Sequence, residues 1–368
     1  MQRIIFLLLT QLSLMQYCLA QSNHKNKFTV TGYYAGNTTA IDSVEVEKLT
    51  HLIYCFCHLN GNKLSMGNAN DTFLLHKMVQ LRQKNPALKI LVSLGGWGGC
   101  MKCSSVFSLK KGRKEFALSV KELIEYFDID GIDLDWEYPV VEGFPGHPYS
   151  PDDKSNFTAL VRVLRKTLGN KKEISFAAGG FTRFINESIE WKKVMRKVDR
   201  LNLMSYDLIG GYSKVSGHHT PLYSNAVQTE STDNGVQLLL KKGVKANKIV
   251  IGAAFYARLF TVTDSTDNGL NRPGNFYRGI SWKNLYDTLN TANGFTLYRD
   301  TIAHAPYAFN PVRKIFATYD DSLSVKMKAK YTITKKLNGI MFWQLMDDRF
   351  SNGLLNLINS TIKSADQP

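Results

Sequence analysis

The chain lacks several features that would point to common protein classes. After its first 20 residues, none of its apolar runs is long enough to cross a bilayer, so we expect no transmembrane segment. Its 46 Lys and Arg residues outnumber 31 Asp and Glu residues and give a net charge of +15, but they are dispersed. No basic stripe with interleaved aromatic residues is present, so we expect no nucleic-acid partner, while weak attraction to acidic polymers or cell surfaces stays open.

The sequence also lacks the usual marks of a cofactor or metal site. A doubly wound sheet would carry a Gly-rich phosphate turn after its first strand, and the segment 32–36 does not supply one. His218 and His219 are adjacent, but no further ligand lies near them at a recognised metal spacing. We therefore expect neither a doubly wound fold nor a metal, and no cofactor is implied.

Cysteine is scarce, with five residues in 368. Cys100 and Cys103 follow a predicted strand and fit a loop disulfide, a redox pair or half of a zinc site, although no second pair has matching spacing. Cys55 and Cys57 are two residues apart in another predicted strand. Alternation along a strand predicts that they share a face as buried thiols.

The first 20 residues have the pattern of a secretory signal. Arg3 gives a positive start, residues 4–14 form a short apolar run, and Ala20 ends a small-residue cleavage site. We expect the mature chain to begin near Gln21. The protein is then predicted to be secreted, into the extracellular space or into the periplasm of a bacterium.

Short apolar strands alternate with longer amphipathic helices along the rest of the chain. Eight strands are predicted, at 28–34, 52–57, 89–94, 129–137, 173–178, 201–206, 249–254 and 339–343. Helices are predicted at 71–84, 111–126, 153–168, 226–242 and 354–363. This count predicts a (β/α)₈ TIM barrel formed by residues 21–260 and 321–368, with residues 261–320 as a small α+β insertion domain.

The segment 130–139, with sequence DGIDLDWEYP, carries three acids at a spacing of two. In a strand, Asp133, Asp135 and Glu137 project toward one surface. Crowded carboxyls hold different protonation states, which is what hydrolysis of a glycosidic bond requires. The apolar opposite face argues against a solvated edge strand. A calcium-binding loop is not indicated, because the Gly and the final Glu that such a loop requires are missing at their offsets. Asp130 has the other parity and is predicted to be structural.

Several motifs together resemble the family 18 glycoside hydrolases, the chitinase group. The acidic segment resembles the family signature, and the similar motifs elsewhere are SLGGW at 93–97, MSYD at 204–207, YAR at 256–258 and GIMFW at 339–343. The resemblance extends over essentially the whole mature chain. An insertion between the seventh and eighth strands is likewise carried by one subfamily of chitinases.

The resemblance implies roles for these residues. Glu137 is the expected general acid and base, and the substrate's own 2-acetamido oxygen is the nucleophile. Asp135 would orient the acetamido N–H, Asp133 would share a proton with Asp135, and Tyr206 would bind the acetamido carbonyl. Apolar ring faces for sugars are expected from Tyr33, Phe56, Trp97 and Trp343. The remaining substrate contacts are expected from Gly96, Tyr138, Met204, Asp207, Tyr256, Arg258 and Met341.

The expected substrate is chitin or an N-acetylglucosamine oligomer, hydrolysed with retention by a monomer. Ala253 and Ala254 stand where relatives often have Pro and Gly, so a different local loop shape is expected, while Tyr256 and Arg258 are kept. Asn37 stands where some relatives have a tryptophan, so binding of long chains is expected to be weaker. Two alternatives stay open. One is a chitinase-like lectin, although such proteins usually lose the acid. The other is an endo-β-N-acetylglucosaminidase, although these generally lack the insertion.

Overall fold

A computed structural model describes residues 28–365, so the expected signal segment lies outside the described residues. Eight parallel strands form a closed barrel, and five antiparallel strands form a second sheet. The strands are β1 Thr29–Tyr34, β2 His51–Asn60, β3 Lys63–Ser65, β4 Lys89–Gly95, β5 Gly131–Asp135, β6 Glu173–Gly179, β7 Arg200–Met204, β8 Ile249–Ala254, β9 Tyr256–Val262, β10 Gly274–Ser281, β11 Thr296–Asp300, β12 Ala305–Asn310, β13 Ile315–Tyr319 and β14 Gly339–Trp343.

The barrel confirms the predicted fold class. Its strand order is β1-β14-β8-β7-β6-β5-β4-β2, and pairing of β1 with β2 closes the ring. Barrel strands are covered on both faces, which explains why they read as nearly continuous apolar runs such as ILVSL in β4. One core lies between strands and helices, and a smaller one fills the barrel with Tyr33, Ile53, Leu91, Ala177, Met204, Val250 and Met341.

Helices cover the outside of the barrel, and one short helix, Leu285–Thr288, lies in the insertion between β10 and β11. The α-helices are Ala69–Gln80, Cys103–Ser108, Lys110–Phe127, Asp153–Leu168, Thr182–Glu187, Trp191–Val194, Thr232–Lys241, Leu285–Thr288, Ser322–Thr334 and Leu354–Ala365. Within residues 28–365, no helix is both long and apolar enough to cross a membrane.

One helix begins later than predicted. The segment 226–231 is not helical, because Ser231 caps the helix that follows, its hydroxyl accepting from the Asn234 N–H at 3.1 Å. Gln228 meanwhile holds the chain in a loop, since its side chain bonds both the N–H and the carbonyl of His218.

The second sheet has the order β10-β9-β13-β12-β11 and lies in the chain between β8 and β14. Phe260, Phe309 and Phe316 form the centre of its own apolar cluster. This sheet is the insertion expected between the seventh and eighth barrel strands. Its strands extend from Tyr256 to Tyr319, while the domain boundaries at 261 and 320 stay a prediction.

The cysteines correct one prediction. The register of β2 against β4 shifts between Tyr54 and Cys57, so Cys55 and Cys57 do not share a face. Cys55 packs against the apolar cluster inside the barrel, whereas Cys57 is buried in the core outside it, with its sulfur 3.5 Å from that of Met66. Of the alternatives for Cys100 and Cys103, the structure has the loop disulfide.

Candidate active site

The predicted acids lie at the carboxyl end of the fourth barrel strand. The prediction that this strand continues to Glu137 is wrong, because β5 ends at Asp135. There the Asp135 carbonyl accepts the N–H of Gly96 at 2.9 Å, and β4 has already ended. Asp133 and Asp135 therefore project from the strand, and Glu137 follows on the loop at the mouth of the barrel. All three carboxyls are buried.

Asp133 is held by four donors from four other strands. One carboxylate oxygen accepts from Tyr33 Oη at 3.0 Å and Ser93 Oγ at 3.1 Å. The other accepts from Ser175 Oγ at 2.6 Å and Asn202 Nδ2 at 3.1 Å. Burial raises the pKa of Asp133, and these hydrogen bonds oppose that rise by stabilising the ionised form. The Asp133 carboxylate is thus held in one position beneath the mouth of the barrel.

Asp135 differs from Asp133 in the hydrogen bonding of its carboxyl. Its Oδ1 atom is buried without a hydrogen-bond partner among the described residues. Burial and the neighbouring charges of Glu137 and Asp133 raise its pKa well above the ordinary range. No hydrogen bond joins Asp135 to Asp133, so the shared proton stays a prediction. The orphan oxygen is available to a donor from outside the protein.

Glu137 has a pKa suited to acid and base work near neutrality. Burial and, to a smaller extent, the charge of Asp207 raise its pKa to about 7, while a hydrogen bond from Tyr138 opposes the rise. The Tyr138 ring lies edge-on against Phe181 and Phe184 at 5.3 and 5.4 Å, which fixes its position.

Tyr206 lies beyond the end of β7 and faces the same space. Its hydroxyl contacts the Met341 sulfur at 3.8 Å, the one hydrogen-bond contact that this hydroxyl makes within residues 28–365. A β-carbon at Gly252 would lie 2.8 Å from the Tyr206 ring, so glycine is needed for the ring to lie there. The hydroxyl is therefore free for a ligand.

Asp207 and Arg258 form a two-bonded ion pair at the mouth. Nε and Nη2 of Arg258 each donate to one Asp207 oxygen at 2.7 Å. These contacts hold the pKa of Asp207 well below its usual range despite burial. His219 lies behind the pair, with Nδ1 3.6 Å from Asp207 Oδ1, and Tyr256 lies against the Arg258 guanidinium.

Aromatic rings form the floor of the mouth. Trp343 and Phe56 are nearly parallel, with ring centroids 5.6 Å apart. Gly96 has φ +77°, and a β-carbon there would lie 2.4 Å from the Phe56 ring, so the turn requires glycine. The Tyr33 prediction is wrong in one respect: its ring is 2% exposed and offers no face to a sugar, while its hydroxyl binds Asp133.

Trp97 lies farther out and is 47% exposed. Its ring is 6.0 Å from Tyr212, a residue that sequence reasoning missed, and 5.9 Å from Phe144. Together these rings form a further aromatic surface, and Trp97 joins it to Tyr138 with ring centroids 6.5 Å apart. Met204, by contrast, is buried in the small core inside the barrel with Met341, so both lie beneath the mouth rather than along it.

Sequence reasoning also missed Ser175 and Asn202. Each is a polar residue inside an otherwise apolar strand, in ISFAAG and RLNLM. A buried polar residue needs a hydrogen-bonding partner. A polar residue inside an apolar strand could therefore have identified both residues from the sequence. Asp130 lies at the other end of the barrel, where it accepts from Arg82 at 2.6 Å and from the Ile90 N–H at 2.8 Å, a structural role.

His218 and His219 have separate environments. His218 Nε2 lies 3.1 Å from Asp300, whereas His219 faces Asp207. In the part of the chain that the structure describes, no group of three or more His, Cys, Asp or Glu side chains is arranged to hold a metal ion.

A (β/α)₈ barrel with a buried carboxyl cluster at the end of its fourth strand defines a glycosidase-type site. The sequence family described as Glycosyl hydrolases family 18 matches residues 29–348. The chain belongs to this family.

Similar proteins include chitinase A1 of Niallia circulans, 34% identical over 75% of this chain, and chitotriosidase-1 of Mus musculus, 31% identical over 85%. The chain spans 43% of the first protein and 70% of the second. A solved structure of a family 18 N-acetylglucosaminidase from Paenibacillus barengoltzii matches with a TM-score of 0.84 and 34% identity, over 91% of this chain and all of that one.

Proposed function

We propose that the protein is a secreted, monomeric chitinase that hydrolyses β-1,4-linked N-acetylglucosamine polymers or oligomers with retention of configuration. The observation that carries this proposal is the buried Oδ1 of Asp135 beside Glu137, which has no hydrogen-bond partner within residues 28–365. A buried acceptor without a partner is costly, and the acetamido N–H of the substrate would satisfy it. The names of the similar chitinases support the same substrate class.

In the first step, Glu137 protonates the glycosidic oxygen while the substrate's acetamido oxygen attacks the anomeric carbon. The bond to the leaving sugar breaks, and a cyclic oxazolinium forms on the remaining sugar. Asp135 accepts a hydrogen bond from the acetamido N–H, which keeps its proton, and stabilises the positive charge, and the Tyr206 hydroxyl holds the acetamido oxygen in line. No second carboxylate is needed as nucleophile.

In the second step, the Glu137 carboxylate removes a proton from water, which attacks the anomeric carbon and opens the oxazolinium. Two displacements at one carbon restore the original configuration. Asp133, fixed by four donors, supplies negative charge beneath Asp135 as the cation develops. Arg258 and Asp207 bind sugar hydroxyl or acetyl groups, and Trp343 and Phe56 pack against a pyranose ring.

The test uses N-acetylglucosamine pentamer and a complex-type glycopeptide as parallel substrates. The parent protein should cleave the pentamer and leave the glycopeptide intact. Glu137→Gln should lower the rate by at least about 100-fold. The exposed Glu142→Gln is the matched control and should keep parental activity. Cleavage of the glycopeptide alone would replace the proposal with a glycoprotein endoglycosidase, and binding of the pentamer without cleavage would replace it with a lectin.

A further inference from the structure

Four segments that lead into barrel strands carry most of the excess positive charge. They are residues 166–172, 195–199, 241–248 and 335–338, and we call them together the basic face. They contain eleven Lys or Arg residues and one acid, Asp199. The basic face therefore has a net charge of +10, in a chain whose total is +15.

The basic face lies at the amino-terminal end of the barrel. Its segments immediately precede β6, β7, β8 and β14, whereas Asp135 and Glu137 lie where β5 ends. Because all eight strands are parallel, these two regions are at opposite ends of the barrel. A ligand on the basic face would leave the carboxyl cluster open.

Hydrogen bonds join the four segments into one continuous surface. Arg165 donates to a backbone carbonyl in each of the first two segments, at 2.8 Å in both cases. Lys248 of the third segment donates to two carbonyls of the second, at 2.8 and 2.6 Å. Asn338 of the fourth segment donates to a carbonyl of the third at 2.9 Å. The cations are thus held on a common scaffold.

Each segment exposes two cations to solvent, and one from each is Lys171, Lys197, Lys245 and Lys336. None of the eight exposed cations pairs with an acid within residues 28–365, and the one acid of the basic face is paired with Arg165 at 2.6 Å. Unpaired like charges held together repel one another and attract a polyanion that displaces their counterions.

We propose that the basic face binds a polyanionic polysaccharide, one that carries sulfate or carboxylate groups. Ten of its eleven cations are lysines, whose flexible point charges suit a mobile chain of separated anions better than fixed two-bonded recognition. Within these segments, all of which the structure describes, no large apolar or aromatic side chain is exposed. A membrane anchor or a base-stacking surface would have such side chains.

Heparin, a sulfated polysaccharide, is the probe for this proposal, and the full chain is titrated with it between about 50 and 300 mM salt. The test variant carries Lys171→Gln, Lys197→Gln, Lys245→Gln and Lys336→Gln, one substitution in each segment. The matched control removes four other exposed lysines that form no ion pair in the described part of the chain, with Lys63→Gln, Lys102→Gln, Lys110→Gln and Lys114→Gln. Both variants lose the same net charge, and thermal unfolding checks that both are folded.

The parent should bind heparin with an affinity that falls steeply with salt and should not bind neutral dextran. The test variant should bind at least about 10-fold more weakly and with a salt slope lower by about three, while the control variant keeps parental affinity within about twofold. Equal losses in both variants, or no binding by the parent, would overturn the proposal. Tighter binding to anionic vesicles or duplex DNA at equal charge concentration would overturn the choice of a polysaccharide.

Discussion

Glu137 lies two residues beyond the end of β5, where burial and the charge of Asp207 raise its pKa to about 7. A general acid must hold its proton before it can give it to the leaving oxygen. The proton is present below the pKa and is lost above it. Hydrolysis by the parent protein is therefore expected to decline as the pH rises through about 7.

Asp207→Asn tests the cause of this pKa. The substitution removes a negative charge and leaves the Arg258 cation nearby, so both changes favour ionised Glu137 and lower its pKa. The pH profile of kcat/KM is measured with a soluble chromogenic oligomer. Its alkaline limb should move to lower pH. A limb that stays in place or moves upward would show that Asp207 does not act on Glu137.

Tyr206→Phe tests the hydroxyl assigned to the acetamido oxygen. That hydroxyl contacts the Met341 sulfur at 3.8 Å, so its loss should leave the thermal unfolding temperature nearly unchanged. We expect kcat to fall about 10- to 100-fold with little change in KM, since the bond is strongest when the acetamido group attacks. A rise in KM at constant kcat would show instead that Tyr206 contributes to binding of the substrate in its ground state.

The sequence predicted the three acids but not the hydrogen-bond donors that hold Asp133. Alternation along a strand was enough to put Asp133 and Asp135 on one face. The partners Ser175 and Asn202 come from strands distant in sequence, so only closure of the barrel brings them to Asp133. The buried state of Tyr33 likewise depends on its neighbours across the barrel rather than on its own segment.

A buried ion pair joins the insertion sheet to the barrel. Lys328 in the helix Ser322–Thr334 donates to Asp320, just after β13, at 2.6 Å, and both side chains are fully buried. Asp320 also accepts from the Ala254 N–H at the end of β8, at 3.0 Å. The pair thus fixes the point where the chain returns from the insertion to the barrel.

Lys328→Met should reduce the free energy of unfolding by about 3–5 kcal/mol, because it leaves the Asp320 charge buried without a cation. Urea denaturation measures this loss. The double variant Lys328→Met with Asp320→Asn removes both charges and should recover part of it. A single variant within about 1 kcal/mol of the parent would contradict the assignment of the pair as a structural link.

The sequence predicted the bounds of an element correctly where the pattern was local. The prediction failed where the structure depends on residues distant in sequence. The strand Ile249–Ala254 and the helix Asp153–Leu168 have the predicted bounds because their apolar periodicity is uninterrupted. The segment 226–231 was misassigned because its hydrogen bonds go to residue 218 rather than along a helix. The register shift in β2 separates Cys55 from Cys57 and is not visible in the apolar pattern of the sequence.

For the whole molecule, charge is distributed unevenly between the two ends of the barrel. The mouth holds buried acids, and the amino-terminal end holds the basic face. Just inside that end, Glu173 accepts from His51 at 3.1 Å and Lys89 at 2.8 Å and also pairs with Arg200. These contacts hold the pKa of Glu173 well below its usual range.

This buried cluster predicts how stability depends on pH. Burial, with smaller contributions from nearby cations, lowers the pKa of His51 to about 4, below the value of about 6.5 in an unfolded chain. The folded state therefore binds fewer protons, and His51 contributes a loss of about 3 kcal/mol as pH falls from 6.5 to 4. His51→Asn should make the fall in unfolding free energy shallower in this range. An unchanged slope would contradict the prediction.

The anomeric form of the first product tests most directly whether hydrolysis proceeds with retention through Glu137. The parent protein and Glu137→Gln are incubated with N-acetylglucosamine pentamer, and proton NMR follows the new reducing end before it mutarotates. We expect β-anomer first from the parent and no new reducing end from the variant. An α-anomer from the parent, or undiminished cleavage by the variant, would contradict the proposed retaining mechanism through Glu137.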